Sequence, residues 1–154
     1  MPNPLAEINK VEQALASAFD IIDILELRTK AKAVEVVALA EGFADVAQNA
    51  KIFQLKAERK AGSWLDGNIQ HGGNSKSRHV TLDDIEISKS QSSRWQLMST
   101  IPEERFNAWV DDKLARGYEI TAGGLREYAR NIKGIPPTKR TNTCPRCGHS
   151  WEGR

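Results

Sequence analysis

The sequence predicts an all-α protein, and three observations lead to this fold class. The chain has 154 residues, which is about the length of one ordinary domain. Between Leu5 and Arg59 no proline interrupts a composition rich in alanine, leucine, glutamate and lysine, which favour helices. Apolar residues recur there at spacings of three and four, as in helices that bury one face. We therefore expect an N-terminal hairpin or bundle of long helices, followed by shorter ones.

Composition and cysteine usage restrict the class of protein. Hydrophobic residues make up 40% of the chain and the mean hydropathy is −0.51, as in soluble proteins with small cores. No stretch approaches the roughly 20 apolar residues that cross a bilayer, and residues 1–4 lack the features of a secretory signal. We expect a cytoplasmic protein with no membrane partner. Its two cysteines are then metal ligands or free thiols rather than a disulfide.

Charge is distributed unevenly along the chain, although the net charge is only +2. The first 50 residues contain four basic and eight acidic residues, whereas residues 130–154 contain six basic residues and one acidic residue. This division predicts an acidic half for assembly, joined to a half that can face a polyanion.

Three long helices are predicted in the N-terminal half. The first covers about residues 5–17, and Asp20 is suited to cap a second over residues 21–41. Asp45 then begins a third helix that reaches about residue 64. The predicted buried face of this third helix consists of Val46, Ala50, Phe53, Ala57, Ala61 and Trp64.

The first two helices share an apolar spacing that has two interpretations. Alternating steps of three and four are formed by Ile8, Val11, Leu15, Ala18, Ile22 and Leu25. A short coiled-coil seam has this spacing, but so do two packed antiparallel helices, and Phe19 and Asp20 interrupt the pattern. We favour a helical hairpin. Because its large side chains are few, we expect a second copy of the chain to cover it in a homodimer.

A segment rich in glycine, asparagine and serine follows at residues 66–79 and shows no periodicity. This composition predicts a flexible linker. His71 and His79 lie in it, and isolated histidines in such loops are usually solvated.

Residues 81–98 have the pattern of a helix-turn-helix. A short helix capped by Thr81 is predicted to precede a tight turn and a second helix capped by Ser88. The side chains predicted to point inward are Leu82, Ile85, Ile87, Trp95 and Met98. The exposed, DNA-reading side then consists of Ser88, Lys89, Ser90, Gln91, Ser93 and Arg94. Short side chains allow close approach to the major groove, while glutamine and arginine can pair with adenine and guanine edges.

Three segments share their pattern with a known family. They are residues 87–95 (Ile-Ser-Lys-Ser-Gln-Ser-Ser-Arg-Trp), 101–104 (Ile-Pro-Glu-Glu) and 120–125 (Ile-Thr-Ala-Gly-Gly-Leu). Together they resemble the helix-turn-helix domain of ParB-type partition proteins. Over about residues 45–130 the chain also resembles phage and mobile-element proteins that join such a domain to an alanine-rich helical N terminus. The element Lys-Ala-Glu-Arg-Lys-Ala-Gly at residues 56–62 is similar to one found there.

The resemblance implies a recognition helix, a helix started by proline and glutamate, and a helix opened by small residues. The chain departs from the pattern at Glu86, where such turns often carry glycine, and at Ser92, which takes an apolar position of the recognition helix. Nothing in the chain matches the nucleotide-binding domain of ParB-type proteins. A nucleotide-driven clamp is therefore not expected.

The two helices after the recognition helix have predicted core and surface faces. Helical spacing over residues 102–116 predicts a core face of Phe106, Trp109, Val110 and Leu114. Arg126 and Arg130 lie one helical turn apart, so both can contact phosphates. Leu125, Tyr128 and Ala129 are then expected to pack inward.

The C-terminal tail contains a pattern typical of zinc sites. A basic linker over residues 139–143 leads to Cys144-Pro-Arg-Cys147-Gly-His149, which resembles one knuckle of a zinc ribbon. Two thiolates leave a tetrahedral ion half-coordinated. The zinc site therefore needs His149 with an outside ligand, or a second knuckle from a partner chain. The alternative is a disordered tail with free thiols.

No catalytic pattern stands out, and we expect no enzymatic activity. The adjacent pairs at residues 83–84 and 111–112 are acidic, but neighbouring helical residues point to different faces and make poor acid–base dyads. We expect a dimeric, sequence-specific binder of double-stranded DNA, acting as a regulator or DNA organiser of a phage or mobile element in a bacterial host. The alternative is an interaction protein whose helical N terminus binds a host or phage protein, with the helix-turn-helix as scaffold.

These expectations divide the chain into four parts. Residues 1–65 form a helical assembly and dimerisation region, and residues 66–79 a linker. Residues 80–134 form the helix-turn-helix DNA-binding domain, and residues 135–154 a basic tail with the CxxC knuckle.

Overall fold

The fold is known from a computed structural model, which describes residues 4–69, 80–136, 141–143 and 150–152. The helical prediction is confirmed, and none of the helices in these ranges is long and apolar enough to span a membrane. The helices are α1 (Pro4–Ser17), α2 (Ile21–Ala40), α3 (Ala44–Asn68), α4 (Lys89–Ser99), α5 (Glu103–Ala115) and α6 (Ala122–Ile132). Two strands that the sequence analysis did not predict, β1 (Thr141–Thr143) and β2 (Ser150–Glu152), pair in antiparallel register.

The ends of α2 show why the chain breaks between the long helices. Asp20 caps the start, since its carboxylate accepts a hydrogen bond from the Ile22 amide at 3.3 Å. At the other end Gly42 takes a φ of +79°, and the Phe43 amide donates to the Ala38 carbonyl at 2.8 Å. A left-handed glycine that closes such a bond is a common helix stop. The chain can then reverse and begin α3.

Helix α3 is the centre of the N-terminal packing, and its contact with α2 is the largest between described helices. The predicted face is confirmed at five positions, which are buried, while Trp64 is only partly buried. Leu65 is fully buried instead, and α3 continues four residues past the predicted end to Asn68. The buried five are Val46, Ala50, Phe53, Ala57 and Ala61.

The apolar residues that are spaced three and four apart from the first helix into the second do not form one continuous buried face. Leu15 and Ala18 are buried, but Ile22 is 64% exposed. Ile21 and Ile24 face the core in its place. The reason is local: the chain leaves the helix after Ser17 and restarts at Ile21, so the phase of α1 is not carried into α2.

Helix α3 also packs directly against α4, and Gly62 makes this close approach possible. A Cβ atom at Gly62 would lie 2.1 Å from the carbonyl oxygen of Trp95, which is far inside contact distance. The backbones of the two helices therefore meet with no side chain between them. Behind this contact Trp95 and Met98 of α4 are buried.

The polar residues of the 56–62 element attach α3 to its neighbours. Lys56 pairs with Glu12 of α1 at 2.9 Å, and the Lys60 ammonium donates to the carbonyl of Leu15. The buried Arg59 bonds to Glu103 and the Ile101 carbonyl, at 3.0 and 2.6 Å, and its guanidinium lies 4.3 Å from the ring centre of Phe106. One helical segment thus contacts α1, the loop after α4 and the start of α5.

The last two helices pack mainly as predicted. Phe106, Trp109 and Val110 are buried, but Leu114 is 40% exposed and does not belong to the core. The ring centres of Trp109 and Tyr128 lie 6.2 Å apart, and this stacked contact joins α5 to α6. Leu125 and Ala129 of α6 are fully buried, as expected.

Candidate nucleic-acid interface

The segment before α4 is a single capped turn, so the prediction of a short helix over residues 81–85 is wrong. Thr81 donates through its amide and its hydroxyl to one carboxylate oxygen of Asp84, both at 2.8 Å. In return the Asp84 amide donates to the Thr81 hydroxyl at 3.3 Å. These hydrogen bonds, the backbone one first, lower the pKa of Asp84. The cap predicted at Thr81 is present, but only one turn follows it.

Glu86 ends this turn in a left-handed conformation, with φ at +54°. The Ile87 amide donates to the Leu82 carbonyl at 3.0 Å, and the Glu86 amide to the Asp83 carbonyl at 3.2 Å. This pair of bonds is the usual way in which a helical turn stops at a left-handed residue. Glu86 therefore adopts the conformation that favours glycine, the residue often found at this point of helix-turn-helix proteins.

Helix α4 begins directly after the turn and presents a polar face. Ser88 caps it by accepting a hydrogen bond from the Gln91 amide at 3.2 Å. Gln91 is half-buried, while Ser92 is buried and its hydroxyl accepts a hydrogen bond from the side-chain Nε2 of Gln96 at 3.2 Å. The hydroxyl of Ser92 thus has a partner inside the α4 packing. The predicted residues at the start of α4 and along it that are exposed are Ser88, Lys89, Ser90, Ser93 and Arg94.

Five of the eight predicted DNA-binding residues line one groove of about 240 Å³ beside α4. Lys89 and Ser93, although exposed, do not line it, and neither does Arg130. The five are Ser88, Ser90, Gln91, Arg94 and Arg126.

Arg126 and Arg130 have different surroundings, although both lie on α6. Arg126 is half-buried, and its Nε donates to the Ala122 carbonyl at 3.1 Å. Its terminal nitrogens remain available to the groove. Arg130 is exposed in the last turn of the helix. The structure therefore joins Arg126, but not Arg130, to the α4 residues.

Two further residues of the groove were missed by the sequence analysis as site residues. The Nε of Arg28 in α2 donates a hydrogen bond to Oε1 of Glu58 in α3 at 2.8 Å, and its Nη2 forms an ion pair with the same oxygen at 2.7 Å. Its guanidinium also lies 5.2 Å from the ring centre of Trp95. No local signal marks Arg28, which is a lone arginine in an acidic half of the chain. Only the approach of α2 and α3 to α4 brings it to this place.

The candidate zinc ligands Cys144, Cys147 and His149 lie outside the described residues, as do His71 and His79. Within the described ranges no group of three or more metal-binding side chains occurs. The strands on either side of the cysteine segment are paired, with Thr143 opposite Ser150. The predicted basic linker over residues 139–143 therefore contains strand residues at 141–143.

Comparison of the chain with family models, curated proteins and solved structures finds no match.

Proposed function

We propose that this protein binds double-stranded DNA in a sequence-specific manner, with α4 as the recognition helix, and that it regulates or organises the DNA of a phage or mobile element. The proposal assigns it no catalytic activity. The observation that carries it is the polar face of α4, where hydroxyl groups, Gln91 and Arg94 are presented after a left-handed turn. The likeness of this segment to ParB-type domains supports the same assignment.

The chemistry of α4 suits base reading. Serine side chains are short, so the backbone of α4 can come close to the base edges. Arg94 makes no hydrogen bond or ion pair within the described part of the chain, and its guanidinium remains free for guanine. Ser88 and Ser90 are suited to contact the phosphates that flank the bases.

We further propose that the DNA-binding form is a homodimer held by α2. The C-terminal half of α2 and the turn after it expose four large apolar side chains: Val36, Val37, Leu39 and Phe43. A second copy suits this face because one recognition helix of 11 residues reads only a few base pairs. Two copies related by a two-fold axis would read two half-sites.

A gel-shift selection tests the DNA-binding proposal. The full chain is mixed with fragments of its native genome, and bound fragments are sequenced and measured again at several salt concentrations. We expect one enriched sequence, with an affinity that falls steeply with salt because phosphate contacts release counterions. Absence of duplex binding at 50 mM salt would reject the proposal.

The exposed face of α2 also supports a second candidate function, in which the N-terminal helices bind a host or phage protein and the rest is a scaffold. Duplex binding and co-purification with a partner distinguish the two candidate functions. A monomer that binds no duplex but co-purifies in stable stoichiometry with one partner would favour the second.

A further inference from the structure

The groove beside α4 contains three arginines that come from three different helices. Arg28 belongs to α2, Arg94 to α4 and Arg126 to α6, and all three line the same space. Among the described residues that line the groove, Glu58 alone has a carboxylate. Positive side chains that line one groove repel one another unless an anion lies between them. The grouping therefore points to an anionic ligand.

Arg28 is held in position rather than free to move. Glu58, whose side chain is 9% exposed, accepts a hydrogen bond from its Nε and forms an ion pair with its Nη2, and the ring of Trp95 lies against its guanidinium. A guanidinium carries five N–H donors, so these two contacts leave donors that can reach the groove. Because Arg28 already neutralises Glu58, the carboxylate does not cancel the charge of Arg94 and Arg126.

The size of the groove is compatible with a compact oxyanion. Its volume of about 240 Å³ leaves room for a phosphate group and part of its hydration shell. Arginine pairs with phosphate through two parallel hydrogen bonds, and serine hydroxyls are frequent additional donors. Ser90 also lines the groove and has such a hydroxyl.

We propose that this groove binds one phosphate group, held by Arg28 and Arg126, while Arg94 adds its positive charge to the groove and keeps its donors for guanine. The inference rests on the proposed function for its source, since the phosphate is then one of the DNA backbone beside the bases that α4 reads. The N-terminal helices consequently take a direct part in DNA binding through Arg28. They do more than hold two copies together.

The first test needs no variant and does not depend on DNA. The full chain is titrated with inorganic phosphate, against chloride at equal ionic strength, while the Nε–H signals of its arginines are followed by NMR. We expect saturable shifts for Arg28, Arg94 and Arg126. Arg105 and Arg116 of the α5 segment, which do not line the groove, are internal controls and should not move.

The second test measures duplex binding with a charge-matched variant. Arg28→Gln combined with Glu58→Gln removes the Arg28 donors without leaving a buried charge unpaired, and the net charge stays the same. We expect duplex affinity to fall about tenfold for all sequences and the slope of log affinity against log salt to fall by about 0.9. Lys30→Gln is the control, because Lys30 lies on α2 outside the groove and pairs with Glu26.

Arg28→Lys guards against a variant that fails to fold. It keeps the charge and can still pair with Glu58, but it loses the planar fork, so it should weaken duplex binding with an unchanged melting temperature.

The outcomes separate the groove from the proposed function. If the Arg28→Gln, Glu58→Gln variant has a lower slope of log affinity against log salt, the ligand is a backbone phosphate. This holds with or without NMR shifts caused by free phosphate. Phosphate-induced shifts without an effect on the slope, or without any duplex binding, assign the groove to a free phosphate or phosphorylated small ligand. Normal duplex binding with no shifts and an unchanged slope overturns the inference and leaves the proposed function standing. Failure to bind either phosphate or duplex overturns both.

Discussion

Glu86 has the backbone conformation of a glycine, and this conformation is unfavourable for any residue with a Cβ atom. Its φ of +54° places it in the left-handed region, which costs a non-glycine residue about 1–2 kcal/mol. The turn keeps this conformation because the hydrogen bonds from Glu86 and Ile87 require it. The strain therefore lies in the turn that sets the direction of α4.

Glu86→Gly should stabilise the protein. Glycine removes the left-handed strain but adds freedom to the unfolded chain, so we expect a net gain of about 0.5–1 kcal/mol in the free energy of unfolding. Urea unfolding measures it. The matched control is Glu104→Gly in the first turn of α5, where glycine should cost about 1 kcal/mol. Equal losses in the two variants would contradict the left-handed turn.

Arg94 is the residue on which sequence reading should depend most. Arg94→Ala should weaken specific duplex binding by about 1–3 kcal/mol and relax the preference at one base pair, without lowering the melting temperature. A binding titration against the selected site and single-base variants measures this change. Arg105→Ala, an exposed arginine of α5, is the control. Equal effects of the two substitutions would remove Arg94 from the reading surface.

At the scale of elements, the contact of α3 with α4 determines where α4, the proposed recognition helix, lies. Gly62 meets the backbone of Trp95, and Arg59 joins the same helix to Ile101 and Glu103 beyond α4. A helix of 11 residues has little stability alone, so it depends on this support. The position of α4 is thus set by packing against the N-terminal half.

Two glycines of α3 provide a matched test of this contact. Gly62→Ala should lower the free energy of unfolding by about 2–3 kcal/mol, because a methyl group there requires the helices to separate. Gly67→Ala should leave stability unchanged or raise it by up to about 1 kcal/mol, since its surroundings are open and alanine favours helix. Urea unfolding compares the two. A Gly62→Ala protein as stable as the Gly67→Ala protein would contradict the close approach.

At the scale of the whole molecule, two faces of α2 have different surroundings. One side packs on α3, and the other exposes the apolar residues of the proposed dimer contact. A chain that starts at Asp66 would lose α3 and expose Trp95 and Met98, so truncation does not test the dimer cleanly. Point substitutions on the exposed side do.

Val36→Ser combined with Val37→Ser should raise the dissociation constant of the homodimer at least tenfold, because each dimer loses four buried valine side chains. Sedimentation equilibrium of the full chain measures it. Leu114→Ser, at an exposed leucine of α5, should leave association unchanged. A protein whose association is insensitive to the α2 substitutions does not use this face for self-contact.

The proposed dimer also has a consequence for the metal content of the tail. If two CxxC knuckles pair across the dimer, four thiolates surround one ion and we expect one zinc for two chains. If His149 is a third ligand, we expect one more weakly bound zinc per chain, lost as the imidazole becomes protonated. Elemental analysis under reducing, chelator-free conditions distinguishes them, and Cys144→Ser should abolish binding. Zinc-free wild-type protein would contradict both arrangements.

The sequence by itself determined the features that depend on near neighbours. The helical class, the caps at Asp20 and Ser88 and the buried face of α3 follow from spacings of a few residues, and the structure contains them. The same reasoning predicted a helix before α4, where the structure has one turn. Thr81 is a typical start of a helix, so residues 81–85 were predicted to form one. The end of the turn was not predicted, because the left-handed residue there is Glu86 and not a glycine.

Only the tertiary structure decided which residues meet. Arg28 lies 66 positions before Arg94 in the chain, and no periodicity relates them. They share a groove because Gly62 lets α3 touch α4, and because Glu58 of the same helix holds Arg28 beside Trp95. Local patterns extend over about one helical turn of roughly four residues, whereas a site is formed by contacts between distant helices. The sequence therefore located α4, the proposed recognition helix, and packing brought Arg28 beside it.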